Sequence, residues 1–352
     1  MEKYELKWVA WESTVKCNLD CIHCRSTAGA AGHEPAGTAK AKLLMDRVAE
    51  FARPVFVLSG GEPLLRKDIF ELAEYGTKLG FRMAMATNGS LITGDTCRRM
   101  KGSGIKIVAL SLDGSTAAVH DDFRRQKGCF EGTLRGIRHL KENNIEFIIN
   151  SSFTKRNSRD IPNTYAMAKS LGAKAWYMFL VVPMGRGADI LGEMIGREEY
   201  EDILRWHYGM ESAEGSILVR PTCAPSYYRI YAEEEKKRGG RSGRRNLSYS
   251  PGGGKGCVAA QSIAYIGAGG DVYPCSYFTL SGGNIYKQKF AEIWGSELFR
   301  SFRGSLTGAD RCGVCEYAGI CGGCRARALI YEGDMLANDP YCAHAPSRRV
   351  RG

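Results

Sequence analysis

Cys17-Asn18-Leu19-Asp20-Cys21-Ile22-His23-Cys24 is the stretch whose reading decides this chain. Three thiolates, separated by three and then two residues, can hold three irons of a cuboidal [4Fe–4S] cluster and leave the fourth iron open. An open iron binds and reduces a small molecule, where a fully ligated cluster only carries electrons. The competing readings are a partial zinc site and three buried thiols. Zinc recruits a fourth protein ligand in structural sites, and His23, directly beside Cys24, is awkwardly placed to share one metal with it.

One strand further on, Gly60-Gly61-Glu62-Pro63 follows the apolar run Val55–Ser59. Glycines let a backbone approach a ligand closely, and a carboxylate there can accept a charge-assisted bond from an ammonium group. Alone this is an ordinary strand-to-helix turn. Behind the three cysteines it resembles the motif with which radical S-adenosylmethionine (SAM) enzymes meet the amino group of SAM. That resemblance implies a cluster with an open iron at Cys17, Cys21 and Cys24, and SAM contacts at Gly60, Gly61, Glu62 and Pro63. It extends to Ser111-Leu112-Asp113-Gly114, similar to the element that reaches the ribose, through Ser111 and Asp113. His120-Asp121-Asp122-Phe123-Arg124 resembles the segment whose arginine pairs with the SAM carboxylate; Arg124 takes that role, with Arg125 as its rival. His23, Asn88 (in Thr87-Asn88-Gly89) and Asn150 join the SAM candidates, although turn formation and capping explain such polar residues equally well. Val182, with Pro183, is a candidate wall of the adenine pocket. No single catalytic side chain is assigned.

A second constellation lies near the C-terminus. Cys312, Cys315, Cys321 and Cys324 are followed by Cys342 and preceded by Cys257 and Cys275. This is similar to the SPASM extension of radical SAM enzymes, which binds two auxiliary iron–sulfur clusters. The last gap of the run holds only Gly322 and Gly323, one residue fewer than in many members. The resemblance gives Cys312, Cys315, Cys321 and Cys342 to an outer cluster, and Cys257, Cys275 and Cys324 to an inner one. Cys223 is the candidate fourth inner ligand; an open iron is the alternative. Paired zinc sites are the competing reading of the whole set. Cys97 and Cys129 read as packing residues.

From Trp8 to Pro183 short apolar runs (54–59, 81–87, 105–112, 146–153, 175–182) alternate with helical periodicity at 43–52, 69–79, 130–143 and 161–171. With a first strand near Val9–Thr14, this predicts six parallel strands with helices outside. The fold class is α/β, a partial (β/α)6 barrel of the radical SAM type followed by a small cysteine-rich SPASM domain. The expected divisions are residues 1–190 as the core barrel, 191–256 as a bridging region and 257–352 as the auxiliary-cluster domain. Within the bridge, Glu198–Trp206 reads as a helix and Glu233–Lys237 as a charge run. Gly239–Gly256 reads as a solvated loop or as a lid over an anionic substrate.

The 352 residues include thirteen cysteines and carry a formal charge of +11. No apolar run is long enough to span a membrane, and the N-terminus lacks a signal-peptide core. The odd cysteine count then argues for metal ligation in a reducing cytoplasm, sheltered from oxygen, over a disulfide framework. The basic excess fits a polyanionic small substrate or a plain surface surplus; no aromatic-interleaved stripe points to nucleic acid.

Less general strings narrow the resemblance: Trp11–Thr14, Leu58–Tyr75, Pro221–Ile230, Asp271–Tyr277, Cys312–Ala328 and Tyr341-Cys342. Together they look like the AhbD-type haem b synthases of the alternative haem-biosynthesis branch. That resemblance implies oxidative decarboxylation of two propionates of iron–coproporphyrin III to vinyl groups, with reducing equivalents from a partner such as ferredoxin or flavodoxin. Arg186, Arg220 and Arg229 are then candidate propionate partners. A peptide or protein maturase, of the sulfatase-activating or cross-linking kind, shares every cluster motif, and a sister tetrapyrrole enzyme that removes side chains is the other enzymatic alternative. A non-catalytic electron-transfer or zinc scaffold leaves the Gly60–Pro63 motif unexplained.

Overall fold

Six strands open the fold: β1 (Trp8–Glu12), β2 (Val55–Ser59), β3 (Arg82–Thr87), β4 (Ile107–Ser111), β5 (Glu146–Phe153) and β6 (Ala175–Leu180). The computed structural model describes residues 4–26, 36–239, 256–304 and 310–347. Each strand pairs in parallel with the next in chain order. The connections are α1 (Thr38–Ala49), α2 (Ile69–Lys78), α3 (Gly94–Gly102), α4 (Ala117–Arg124), α5 (Cys129–Glu142) and α6 (Ile161–Ser170). This is the predicted barrel architecture. Alternation along each strand separates two faces. Phe56, Leu58, Met83, Met85, Val108, Leu110, Ile149 and Trp176 belong to the main hydrophobic core, whereas Ala10, Val55, Val57, Ala84, Ile107 and Tyr265 form a separate layer.

Two helices escaped the sequence reading for a physical reason. Only Cys97 and Met100 of α3 are buried, so it has almost no apolar stripe; a capping box between Thr93 and Thr96 starts it. α4 is short and begins at Thr116, whose side chain accepts from the Val119 amide.

The six expected strands are present, and the sheet continues past them at both edges. β7 (Leu218–Thr222) adds in parallel to β6, and β8 (Ile263–Ile266) adds in parallel to β1. β9 (Asp271–Tyr273) and β10 (Gly283–Asn284) follow antiparallel. The described residues thus form one ten-stranded sheet. The segment after Cys257 extends the same sheet. Its strands have four, three and two residues, too few to show a period.

Between β6 and β8, α7 (Arg197–Ala213) includes and exceeds the predicted helix. α8 (Ser226–Arg238) takes up the charge run Glu233–Lys237. Those charges cross-link the two helices: Arg205 reaches Glu233 and Glu234 at 3.0 and 2.6 Å, and Tyr208 donates to Glu235 at 2.7 Å. The interior of the Gly239–Gly256 loop lies outside the described residues. Short helices α9 (Phe290–Trp294), α10 (Glu297–Ser301), α11 (Asp310–Val314) and α12 (Arg325–Glu332) complete the C-terminal segment. No described helix is long and apolar enough to cross a membrane.

Candidate active site

The loop bearing Cys17, Cys21 and Cys24 leaves the end of β1 and is braced from three sides. Gly61 N–H donates to Thr14 C=O and Glu62 N–H to Lys16 C=O, both at 2.7 Å. A Cβ on Gly60 would lie 2.3 Å from Thr14 O, and one on Gly61 2.2 Å from Lys16 O. Both glycines therefore exist for the approach of the chain's own backbone just ahead of Cys17. On the second side, Asn88 Nδ2 donates to Asn18 Oδ1 at 2.9 Å and Asn18 Nδ2 to Ser90 Oγ at 3.0 Å. On the third, Arg186 donates from its amide to Cys24 O and from Nε to Cys21 O, at 2.9 and 3.0 Å. The three thiols pack together with Leu19 and Cys129.

Glu62 is fully buried. Its Oε1 accepts from Thr87 Oγ1 at 2.8 Å and Leu64 N–H at 3.1 Å, and its Oε2 from Asn88 N–H at 2.8 Å. Burial raises its pKa, and the three donors oppose that rise. The Thr87-Asn88-Gly89 turn thus anchors both Glu62 and the cysteine loop.

Beside this lies a second buried unit. Asp113 Oδ2 accepts from Arg124 Nε at 2.6 Å, and its Oδ1 from Ser152 N–H at 2.7 Å. Burial pushes the Asp113 carboxyl up, but the neighbouring Arg124 and histidines outweigh it and the net shift is down. Arg124 Nη1 also stands 3.7 Å from Cys21 Sγ. Arg125, its sequence rival, is in the left-handed region and mostly exposed. His120 Nδ1 accepts from Asp113 N–H at 3.0 Å, and burial lowers its pKa to about 4. Burial likewise lowers His23 to about 3, so both rings are neutral at pH 7. His23 stacks on Phe123 at 4.2 Å, and its buried Nδ1 has no hydrogen-bond partner among the described residues. Ser111, the last residue of β4, is the register partner of Asn150, which lies within β5. Val182 is buried with Phe278, Cys324 and Ala326, which places it at the boundary with the cysteine-rich segment.

The C-terminal thiols sort into two groups. Cys312, Cys315, Cys321 and Cys342 line one small recess, together with Arg229, Tyr317 and Asp339. Cys223, Cys257, Cys275 and Cys324 form the other: burial raises the Cys223 thiol most, and the other three, close by, raise it further. Cys223 adopts φ +57°, unusual for a non-glycine residue, at the turn that follows β7. The tertiary structure thus brings a fourth thiol to the inner set. Burial pushes Cys21 and Cys257 up to about 11 and Cys321 to about 12. Such thiols become thiolates on metal binding, because the bound cation reverses the local electrostatics.

The chain matches the radical SAM superfamily over residues 11–168 and the SPASM iron–sulfur cluster-binding domain over residues 257–325. An AdoMet-dependent heme synthase of Methanosarcina barkeri (strain Fusaro) is 41% identical over 345 residues, covering 97% of each chain. The chain belongs to the radical SAM superfamily. An Fe-coproporphyrin III synthase of the same organism is 31% identical, over 95% of this chain and 87% of that one. Among solved structures, Streptococcus suis SuiB bound to S-adenosylmethionine has a TM-score of 0.74 at 17% identity, covering 97% of this chain and 78% of that one; this likeness shows the fold alone.

Membership implies a [4Fe–4S] cluster, SAM and auxiliary iron–sulfur clusters, and the donor sets fit. The N-terminal loop offers three thiols, which leaves one iron open, and the orphaned His23 Nδ1 is a polar atom awaiting a ligand. The two C-terminal sets offer four thiols each.

Several residues of this radical SAM site were not legible in sequence. Asn18 carries no motif of its own and acts through Asn88 and Ser90. Arg25, next to Cys24, stacks over Tyr265 at 4.3 Å and donates to Ser276 O at 3.3 Å, linking the cluster loop to the C-terminal segment. The candidate propionate arginines are all engaged. Arg220 pairs with Glu211, Arg229 with Glu201 and Glu233, and Arg186 with Asp20. Of the three only Arg186 touches the cluster loop. Cys97 is wholly buried packing, as expected; Cys129 is also buried, but against the cluster cysteines.

Proposed function

We propose that this enzyme converts iron–coproporphyrin III to haem b, turning two propionates into vinyl groups. The observation that carries the reading is the 41% identity to an AdoMet-dependent heme synthase across 97% of both chains. Each conversion removes a hydrogen atom from the propionate β-carbon, carbon dioxide and one electron. When bound, SAM and the clusters supply a 5′-deoxyadenosyl radical as hydrogen acceptor and a sink for the electron.

The chain's own residues bind, orient and exclude water. Cys17, Cys21 and Cys24 hold the open cluster; Cys312, Cys315, Cys321 and Cys342 hold the outer auxiliary cluster, and Cys223, Cys257, Cys275 and Cys324 the inner. Glu62, already fixed by three donors, receives the SAM ammonium with Gly60, Gly61 and Pro63. Ser111 and Asn88 at strand ends, and Asn150 within β5 beside Ser111, contact the nucleoside, with Val182 behind the adenine. Arg124, oriented by its bond to Asp113, pairs with the SAM carboxylate. Neutral His23 offers Nδ1 as hydrogen-bond partner. The electron donor is a reducing protein of the ferredoxin or flavodoxin class, and the setting is the cytoplasm.

The test is anaerobic incubation of the reconstituted enzyme with SAM, a reductant and iron–coproporphyrin III, followed by mass spectrometry. Two successive losses through a mono-vinyl intermediate are expected, with deoxyadenosine formed at each. SAM cleavage with the porphyrin mass unchanged, and a cysteine- or serine-containing peptide modified instead, would replace this reading with a maturase.

A further inference from the structure

Two buried, paired residues belong to neither auxiliary thiol set, yet between them they are bonded to both. Arg327, on the first turn of α12, is wholly buried, and Asp339 is 1% exposed. Arg327 Nε and Nη2 donate to Asp339 Oδ1 and Oδ2 at 2.9 and 2.8 Å, a bidentate fork. Nη1 donates to the Cys223 carbonyl at 2.5 Å, and Nη2 also reaches Tyr200 Oη at 3.2 Å. The rings of Tyr200 and Tyr341 flank the guanidinium at 5.3 and 4.5 Å.

Asp339 spends its remaining capacity on the cysteines' backbone. Its Oδ2 accepts from Cys324 N–H at 2.8 Å and its Oδ1 from Tyr341 N–H at 3.2 Å. Its carbonyl accepts from Cys342 N–H at 3.0 Å. The adjacent Asn338 Oδ1 accepts from Cys312 N–H at 2.9 Å. A single hydrogen-bonded unit therefore grips Cys223 and Cys324 of the inner set and Cys312 and Cys342 of the outer.

A buried ion pair is weak evidence of stability, since apolar replacements of similar volume often serve as well. What a guanidinium–carboxylate fork supplies instead is fixed geometry and a fixed local charge balance. We propose that Arg327 and Asp339 form the common positioning pair of both auxiliary iron–sulfur sites, registering one on the other and balancing the charge beside the inner cluster. This rests on the two thiol sets holding iron–sulfur clusters, which iron and sulfide analysis of the parent protein checks separately.

The experiment uses full-length protein with Cys17→Ala, Cys21→Ala and Cys24→Ala, reconstituted anaerobically so that only auxiliary signals remain. It reads iron and sulfide content and a reductive titration followed by electron paramagnetic resonance. Asp339→Asn keeps the shape but leaves the guanidinium uncompensated. It should favour the reduced auxiliary state about tenfold, a positive shift of about 59 mV for one electron. Arg327→Lys keeps the charge without the fork, and should lose iron from both sites together while the remaining clusters keep the parental potential. An Asp339→Asn protein at the parental potential overturns the proposal, as does iron loss from a single site in Arg327→Lys. If Asp339→Asn holds no auxiliary iron, Asp339→Glu decides: restoring the charge must restore iron at both sites, and recovery at one site or none overturns the shared role.

Discussion

Arg124 Nε donates to Asp113 Oδ2 at 2.6 Å, with both side chains buried. Through this bond the end of β4 and the last turn of α4 are locked to each other, and through Arg124 Nη1 to Cys21. The two residues arise from separate sequence motifs, each expected to touch SAM alone. In the fold they form one unit, and the thiol loop rests on it.

Replacing Asp113 by Asn leaves a buried guanidinium unpaired, and should cost about 3 kcal/mol in urea unfolding of the reduced apoprotein. The pH dependence has a definite sign. The folded-state pKa of Asp113 is depressed, so its contribution is complete above the unfolded value of about 3.9. It fades as pH falls through the folded value. The gap between wild type and Asp113→Asn should therefore be widest near neutrality and narrow below about pH 4. A gap independent of pH would show that the carboxylate charge contributes nothing.

Cys17→Ala, Cys21→Ala and Cys24→Ala together should abolish reductive SAM cleavage and leave the auxiliary iron in place, because the three-thiol loop is the only described set that leaves an iron open. Continued release of 5′-deoxyadenosine by the triple variant would refute the assignment of this loop.

Gly61→Ala sets a methyl group 2.2 Å from Lys16 O, a contact with backbone that no rotamer relieves. The lead-in to Cys17 must shift. SAM cleavage should fall by at least about tenfold, equivalent to about 1.4 kcal/mol in the barrier, while auxiliary iron is retained. Wild-type cleavage by this variant would mean that the 14–16 segment tolerates displacement.

Cys223→Ala distinguishes a four-thiol inner site from an open one. With four protein ligands, iron and sulfide should fall by about one [4Fe–4S] cluster, as they should for Cys312→Ala at the outer site. Full iron content in Cys223→Ala, with a small-molecule-accessible auxiliary iron already detected in wild type, would favour an open inner iron.

The parts legible in sequence were those in which chemistry demands particular residues at fixed local spacing. Cys17, Cys21 and Cys24 need only one loop to converge, and Gly60–Glu62 only a strand end, so their roles follow from the chain read in order. The six-strand alternation of 8–180 was visible because each strand buries two faces and each helix one. Distance along the chain hid the rest. Cys223 and Cys257 are brought together by β7 pairing with β6 and β8 with β1, pairings between segments too short to show a period. Asp113 and Arg124 could be named individually, but that each neutralises the other is a property of burial. Arg327 carries no motif in the sequence, and only the fold encloses it with Asp339. Sequence alone named the candidate groups for iron and SAM. Only the tertiary structure decided which of them share a site, because a buried charge or thiol is defined by neighbours that packing, not spacing, supplies.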